Sequence, residues 1–167
     1  MAETAEKAVV RKSIRVQIPP ERAFAVFVEN MENWWPAEHH IGQKPFQAIF
    51  VEPRTGGRWF ERDADGNECE WGYVLQWDPP HSVKFSWHLG PTWKFDPDLA
   101  NASEVEIRFT GEGSGTTFVE LQHSALERHG EGYEQLRDIM DSPQAWQQTL
   151  AVYAAEANRK ASAGEAK

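Results

Sequence analysis

His123 is the side chain best placed to do chemistry. It closes an alternating run, Thr116–His123, in which it shares one strand face with Val119 and Leu121, so parity aims it inward. A buried imidazole beside apolar walls can orient a polar group of a ligand or act as a base. The plainer role is a core histidine satisfied by a backbone carbonyl. No serine, cysteine or second acid is tied to it by a motif spacing, so no catalytic residue is assigned.

Other candidates carry less. His39 and His40 beside Glu38 come nearest to a metal cluster. Adjacent loop residues rarely chelate one ion, and no Glu-x-x-His or His-x-x-x-His spacing supports them, so neither a metal nor a cofactor is expected. Gly111, Gly113 and Gly115 lead into a strand rather than a helix, and Glu112 would repel phosphate, which makes them a turn. Glu52, Glu61 and Asp63 are carboxylates near one hairpin, and alternation with Phe60 and Arg62 assigns most of them to a solvated face. Cys69 lies between Glu68 and Glu70, whose charge raises a thiol pKa, the opposite of what a nucleophile needs.

Eight tryptophans in one small domain are the unusual feature. Each brings a large apolar area and one N–H that needs a partner. Parity puts Trp71, Tyr73, Leu75 and Trp77 on one strand face, and Val83, Phe85, Trp87 and Leu89 on one face of the next. If both faces point at Trp146, Leu150 and Tyr153, they form either an aromatic-walled pocket or a solid aromatic core. The candidate ligand-binding set is therefore Trp71, Tyr73, Phe85, Trp87, His123, Trp146, Leu150 and Tyr153.

The elements that must position these residues are legible in outline. Val9 to Ile18 alternates and reads as a strand, stopped by Pro19-Pro20, which suit the first turn of a helix. Ala23, Phe24, Val26, Phe27 and Val28 are apolar on nearly every side, so that short helix is sandwiched. Trp34-Trp35-Pro36 ends a second short helical stretch. From Pro45 to His123 short strands alternate with tight turns, an antiparallel meander broken by a proline-containing excursion over 91–103. Tyr133, Leu136 and Met140 mark a short helix. Ser142 as N-cap and Pro143 at the first helical position then open a long one, with Trp146, Leu150, Tyr153 and Ala157 on one face. Residues 143–160 span roughly 27 Å at ~1.5 Å per residue, enough to lie across a curved sheet. The expected fold is α+β of the helix-grip kind: six or seven antiparallel strands around one long C-terminal helix, with two short helices after the first strand. It forms one domain over 9–160, with residues 1–8 and 161–167 as tails.

Composition bounds the partners. With 17 Lys and Arg against 26 Asp and Glu the formal net charge is −9, and a surface like that repels nucleic acid. One cysteine excludes an intrachain disulfide and a multi-cysteine metal site. No stretch approaches the ~18 apolar residues of a membrane span, and the acidic start Met1-Ala2-Glu3 lacks a secretory core, so a cytoplasmic protein is expected. Nothing in the sequence sets an oligomeric state.

Several motifs together resemble one family. Ile18-Pro19-Pro20-Glu21-Arg22-Ala23-Phe24 is similar to the "P-P-E-x-V-F" of the SRPBCC (START-like, Bet v 1-like) superfamily, in the branch named after the C-terminal domain of the activator of heat-shock-protein-90 ATPase. Trp34-Trp35 resembles its "W-W", Gly56-Gly57-Arg58-Trp59 its "G-G-x-F/W", and Gly72 through Pro80 its "G-x-V-L-E-V-D-P-P". Phe85-Ser86-Trp87 looks like "F-T-W", Thr117 through His123 like "T-x-V-x-L-x-H", and Trp146 sits where the family has "G-W". Ala145 replaces that glycine, and the excursion 91–103 is longer than the pattern. The resemblance covers about 9–158 and implies a cavity between sheet and grip helix. The family's activities are diverse: ligand binders, a few cyclases and hydrolases, and chaperone co-activators. Fold membership alone does not choose among them.

The sequence-level expectation is a non-enzymatic domain that holds a small hydrophobic or aromatic molecule under the grip helix. The alternative is a protein-interaction module of the chaperone-activator type. An enzyme using the same pocket ranks third.

Overall fold

The computed structural model describes residues 9–31, 34–35, 46–90, 95–113 and 115–165. Seven strands form one sheet: β1 Val10–Val16, β2 Phe46–Val51, β3 Arg58–Asp63, β4 Glu68–Asp78, β5 Ser82–Trp87, β6 Ser103–Gly111 and β7 Thr117–Ser124. Their order is β1-β7-β6-β5-β4-β3-β2, and every pairing is antiparallel. The two edges, β1 and β2, come from the N-terminal third, so the meander is read in sequence with β1 folded back onto its last strand.

The sheet's inner face follows period two. On β6 and β7, Val105, Ile107, Phe109, Val119, Leu121 and His123 are buried, while Glu104, Glu106, Arg108 and Glu120 face outward. On β4 the alternation breaks twice. Register shifts fall between Trp59/Phe60 of β3 and again between Val74/Gln76 of β4, each inserting one extra β4 residue. The first sits at Trp71-Gly72, where a side chain is impossible: a Cβ on Gly72 would lie 1.7 Å from the Ser86 carbonyl oxygen. After this bulge the inward residue is Val74, not Tyr73.

Helix α1, Pro20–Val28, starts on Pro19-Pro20 and buries Ala23, Phe24, Val26, Phe27 and Val28, sandwiched between β6 and the C-terminal helix. The second short helical stretch ending at Trp34-Trp35-Pro36 falls partly outside the described residues, as do His39, His40 and Glu38. Helix α2, Tyr133–Asp141, buries Leu136 and Met140 as its spacing predicts. A five-residue π-turn, Pro143–Gln147, leads into α3, Gln148–Glu165. Ser142 holds the extended N-cap backbone, but its hydroxyl donates back to the Ile139 carbonyl and caps nothing. The long helix runs to Glu165, past the end near 159–160 that the sequence suggested.

Helix α3 lies against β1 and α1. Tyr153 packs on Phe27 at 5.0 Å between ring centroids, and its hydroxyl donates to the Ala23 carbonyl at 2.8 Å. Asn158 accepts from the Gln17 backbone N–H, also at 2.8 Å. This is a helix-grip α+β domain: a curled seven-stranded antiparallel sheet held around one long C-terminal helix.

Candidate functional site

The tryptophans converge where three neighbouring strands face the start of the grip helix. Trp59 on β3, Trp71 on β4 and Trp87 on β5 stand with centroids 5.7 Å apart for the first pair, 5.3 Å for the second and 5.8 Å for the outer two. Phe85 lies 4.8 Å from Trp59. Trp146 reaches Trp87 at 5.6 Å from the π-turn, and Trp35 reaches Trp71 at 5.4 Å and Trp59 at 5.9 Å from the connection after α1. The contacts are edge-on or tilted, the arrangements aromatic quadrupoles prefer. The backbone kinks immediately before Trp146: Ala145, inside the π-turn, leaves helical geometry (φ −100°, ψ −117°).

Of the sequence-predicted set, Trp71, Phe85, Trp87, His123 and Trp146 come together in this cluster, all buried. Leu150 and Tyr153 continue the same buried helix face further along. Tyr73 does not join them. The Trp71-Gly72 bulge turns it to the outer face, where its hydroxyl donates to Glu70 at 2.8 Å and its ring meets His88 at 5.4 Å.

The indole N–H groups divide sharply. Trp34 donates to the Val26 carbonyl and Trp87 to the Leu89 carbonyl, both at 2.8 Å. Trp71 donates to Glu61 Oε1 at 2.9 Å, and Trp146 to His123 Nδ1 at 3.1 Å. Trp59 Nε1 is buried with no hydrogen-bond partner.

Glu61 and Asp63 are a correction to the sequence reading. They lie 1% and 3% exposed, on the inner side of β3 rather than on a solvated face. Asp63 ties the following turn, accepting from the backbone N–H groups of Asp65 and Asn67. Glu61 stands at the edge of the tryptophan cluster, where Trp71 is one of its donors. The Cys69 thiol is pushed up, as expected, but by burial first and then by Glu61 and Asp63 rather than by its chain neighbours.

His123 is fully buried, and its partners are side chains rather than a backbone carbonyl. Because Trp146 has only a donor, His123 Nδ1 must be the accepting nitrogen, which leaves the proton on Nε2. Nε2–H then donates to Ser103 Oγ at 2.7 Å, and the Ser103 hydroxyl is left to donate to His129 Nε2, also at 2.7 Å. The chain runs from the cluster to the half-buried His129. Burial, with a smaller contribution from His129, pushes the His123 imidazole down to about 3. Burial and the neighbouring His88 push His129 down to about 4, against a smaller opposing pull from Asp96. Both rings are neutral near pH 7, consistent with the hydrogen-bond directions.

The sequence reading missed Trp59, Ser103 and His129, and a buried pair on the outer face. Ser86 Oγ stands 2.8 Å from His88 Nε2, and Phe95 stacks on His88 at 5.0 Å, covering a face that parity alone assigns to solvent. Gly111 ends β6, and Gly113 and Gly115 belong to the β6–β7 turn at positive φ, with Glu112 paired to Arg15 at 2.7 Å. Among the described residues no group of three His, Cys, Asp or Glu stands close enough to hold a metal, and no helix is long and apolar enough to cross a membrane.

A sheet curled around one terminal helix, with aromatic residues between them, defines the helix-grip class. The family model described as "Activator of Hsp90 ATPase homolog 1-like protein" matches residues 17–155, and the chain belongs to that family. Among solved structures, the chain is 40% identical to an anthrahydroquino-gamma-pyrone synthase, Txn09, over 88% of this chain and 95% of that one, with a TM-score of 0.62. It is 25% identical to CalC, a self-sacrificing resistance protein from Micromonospora echinospora, over 92% of this chain and 96% of that one, with a TM-score of 0.65. The Aha1 dimer from Colwellia psychrerythraea, at 13% identity, 90% and 96% coverage and a TM-score of 0.58, shares the fold. No curated protein matches the sequence.

Proposed function

We propose that this chain takes a planar polycyclic aromatic molecule into the tryptophan cluster and closes an oxygen-containing ring on it. The observation that carries this reading is the 40% identity, over 88% of this chain and 95% of the other, to a protein named an anthrahydroquino-gamma-pyrone synthase. The cluster supports it. Trp59, Trp71 and Trp87 sit on adjacent strands and form a fixed aromatic wall. Trp35 and Trp146 come from a connection and a kinked helix start, so they can give way to a flat guest without breaking a strand ladder. Each aromatic contact so replaced is worth ~0.5–1.5 kcal/mol beyond its buried area.

Closing a γ-pyrone from a 1,3-diketone side chain forms a C–O bond between a phenolic oxygen and a carbonyl carbon. The phenol gives up its proton, the attacked carbonyl oxygen leaves as water with that proton and one from the CH2 between the two carbonyls, and the ring C=C bond forms, so the step consumes no oxidant. Glu61, a buried carboxylate at the cluster's edge, is the group assigned to take that proton. The test is incubation with an anthraquinone bearing a 1,3-diketone ortho to a phenol, followed by chromatography and mass spectrometry. The expected result is pyrone formation well above the buffer rate, falling ~10²-fold or more in Glu61→Gln while binding persists. Neither binding nor acceleration overturns the reading.

A second reading, binding without turnover, is favoured by the 25% identity to a resistance protein. It predicts that the same compound binds and is recovered unchanged. A chaperone-activator role has the family's description and a shared fold behind it, and no feature of the tryptophan cluster favours it.

A further inference from the structure

The polar requirement of the bound molecule can be read from one atom. In and around the cluster the indole N–H groups of Trp34, Trp71, Trp87 and Trp146 are all paired. Trp59 is 1% exposed, stands at one end of the fixed wall against Trp71, and its N–H has no acceptor. A buried donor left unmade is one of the rarer features of a folded protein and calls for a reason. Local packing offers none, since the surrounding Trp35, Trp71, Phe85 and Trp87 present ring faces and edges at 4.8–5.9 Å rather than oxygen. Donors kept unsatisfied in a binding site are those a ligand completes.

We infer that Trp59 Nε1–H is the recognition donor for a carbonyl oxygen on the aromatic ligand, so that the site selects quinones and aryl ketones over flat hydrocarbons of the same size. This rests on the binding reading above and sharpens it. Shape and stacking come from the wall and are indifferent to ring substituents. Discrimination comes from Trp59, because a hydrocarbon leaves the N–H as it was while a carbonyl removes the defect. A site built to hydrogen-bond its ligand rejects the analogue that lacks the matching group.

The experiment compares anthraquinone-2-sulfonate with anthracene-2-sulfonate, which share size, flatness and charge, by calorimetric titration of the full chain. The wild type should bind the quinone about tenfold more tightly, the worth of one net hydrogen bond. Trp59→Phe keeps a ring in the wall and loses the donor, so the quinone-to-hydrocarbon preference should fall to within about twofold whatever affinity both compounds keep. Should that variant not fold, the wild-type indole N–H resonances decide: the Trp59 proton should move downfield with the quinone and not with the hydrocarbon. Equal wild-type affinity for both compounds, or an unmoved Trp59 resonance, overturns the inference and leaves the binding reading standing. Failure of both compounds to bind overturns the two together.

Discussion

Acidification should destabilise the fold through His123 by an amount that can be worked out. Its folded-state pKa of about 3 lies below the ordinary 6.5 because burial disfavours the imidazolium and His129 adds a like charge. The unfolded chain therefore takes up the proton first as pH falls. Stability from the neutral ring is complete above about 6.5 and is lost progressively toward 3. Between pH 7.5 and pH 5.0 the linkage integral for this one group is about 2 kcal/mol. For a domain of this size that corresponds to a fall of about 4–8 °C in Tm. Structure gives the same direction: a protonated Nδ1 can no longer accept from Trp146, whose indole N–H is left facing another donor. The assay is urea unfolding of wild type and His123→Asn at both pH values, the asparagine keeping an acceptor for the Trp146 N–H. His129, held down to about 4, titrates in both proteins and largely cancels in the comparison. The variant should lose about 2 kcal/mol less on acidification than the wild type. Equal losses, within about 0.5 kcal/mol, would refute the argument that His123 is buried neutral.

Three further outcomes follow from packing and hydrogen bonding. Gly72→Ala should cost about 3 kcal/mol or more in chemical denaturation, because its Cβ would collide with the Ser86 backbone across the bulge. Tyr153→Phe should cost about 1–2 kcal/mol by thermal melt, since it strips the Ala23 carbonyl of its buried donor and loosens α3 from α1. Glu61→Leu should cost about 1–3 kcal/mol by leaving the Trp71 N–H unpaired in the interior, whereas Glu61→Gln keeps an acceptor and should cost less.

The architecture was readable because its cues are local and periodic. Period two from β1 through β7, the switch to helical spacing after Ser142 and Pro143, and the inward parity of His123 all reappear in the structure. What parity could not supply is where the period slips. Tyr73 was assigned inward because Trp71 and Trp77 are, and one bulge at Trp71-Gly72 was enough to reverse it. A glycine in the middle of an aromatic strand was the available signal for that bulge. Alternation with Phe60 and Arg62 points Glu61 and Asp63 outward, yet their burial depends on partners brought from other strands and turns. Burial of Ser86 and His88 depends on Phe95, which returns from a loop that no pattern could fold in advance. Trp59 was visible as a family motif residue, but an unmade hydrogen bond is a property of three-dimensional surroundings alone.

The central claim is that the tryptophan cluster is a binding site for a flat aromatic ligand, and a crystal structure of the protein soaked with anthraquinone-2-sulfonate tests it most directly. The expected result is planar density against Trp59, Trp71 and Trp87, with Trp35 or Trp146 displaced from its present contacts and a ligand oxygen within hydrogen-bond distance of Trp59 Nε1. Density confined to the outer face of the sheet, with all five indoles of the cluster still in contact, would contradict it.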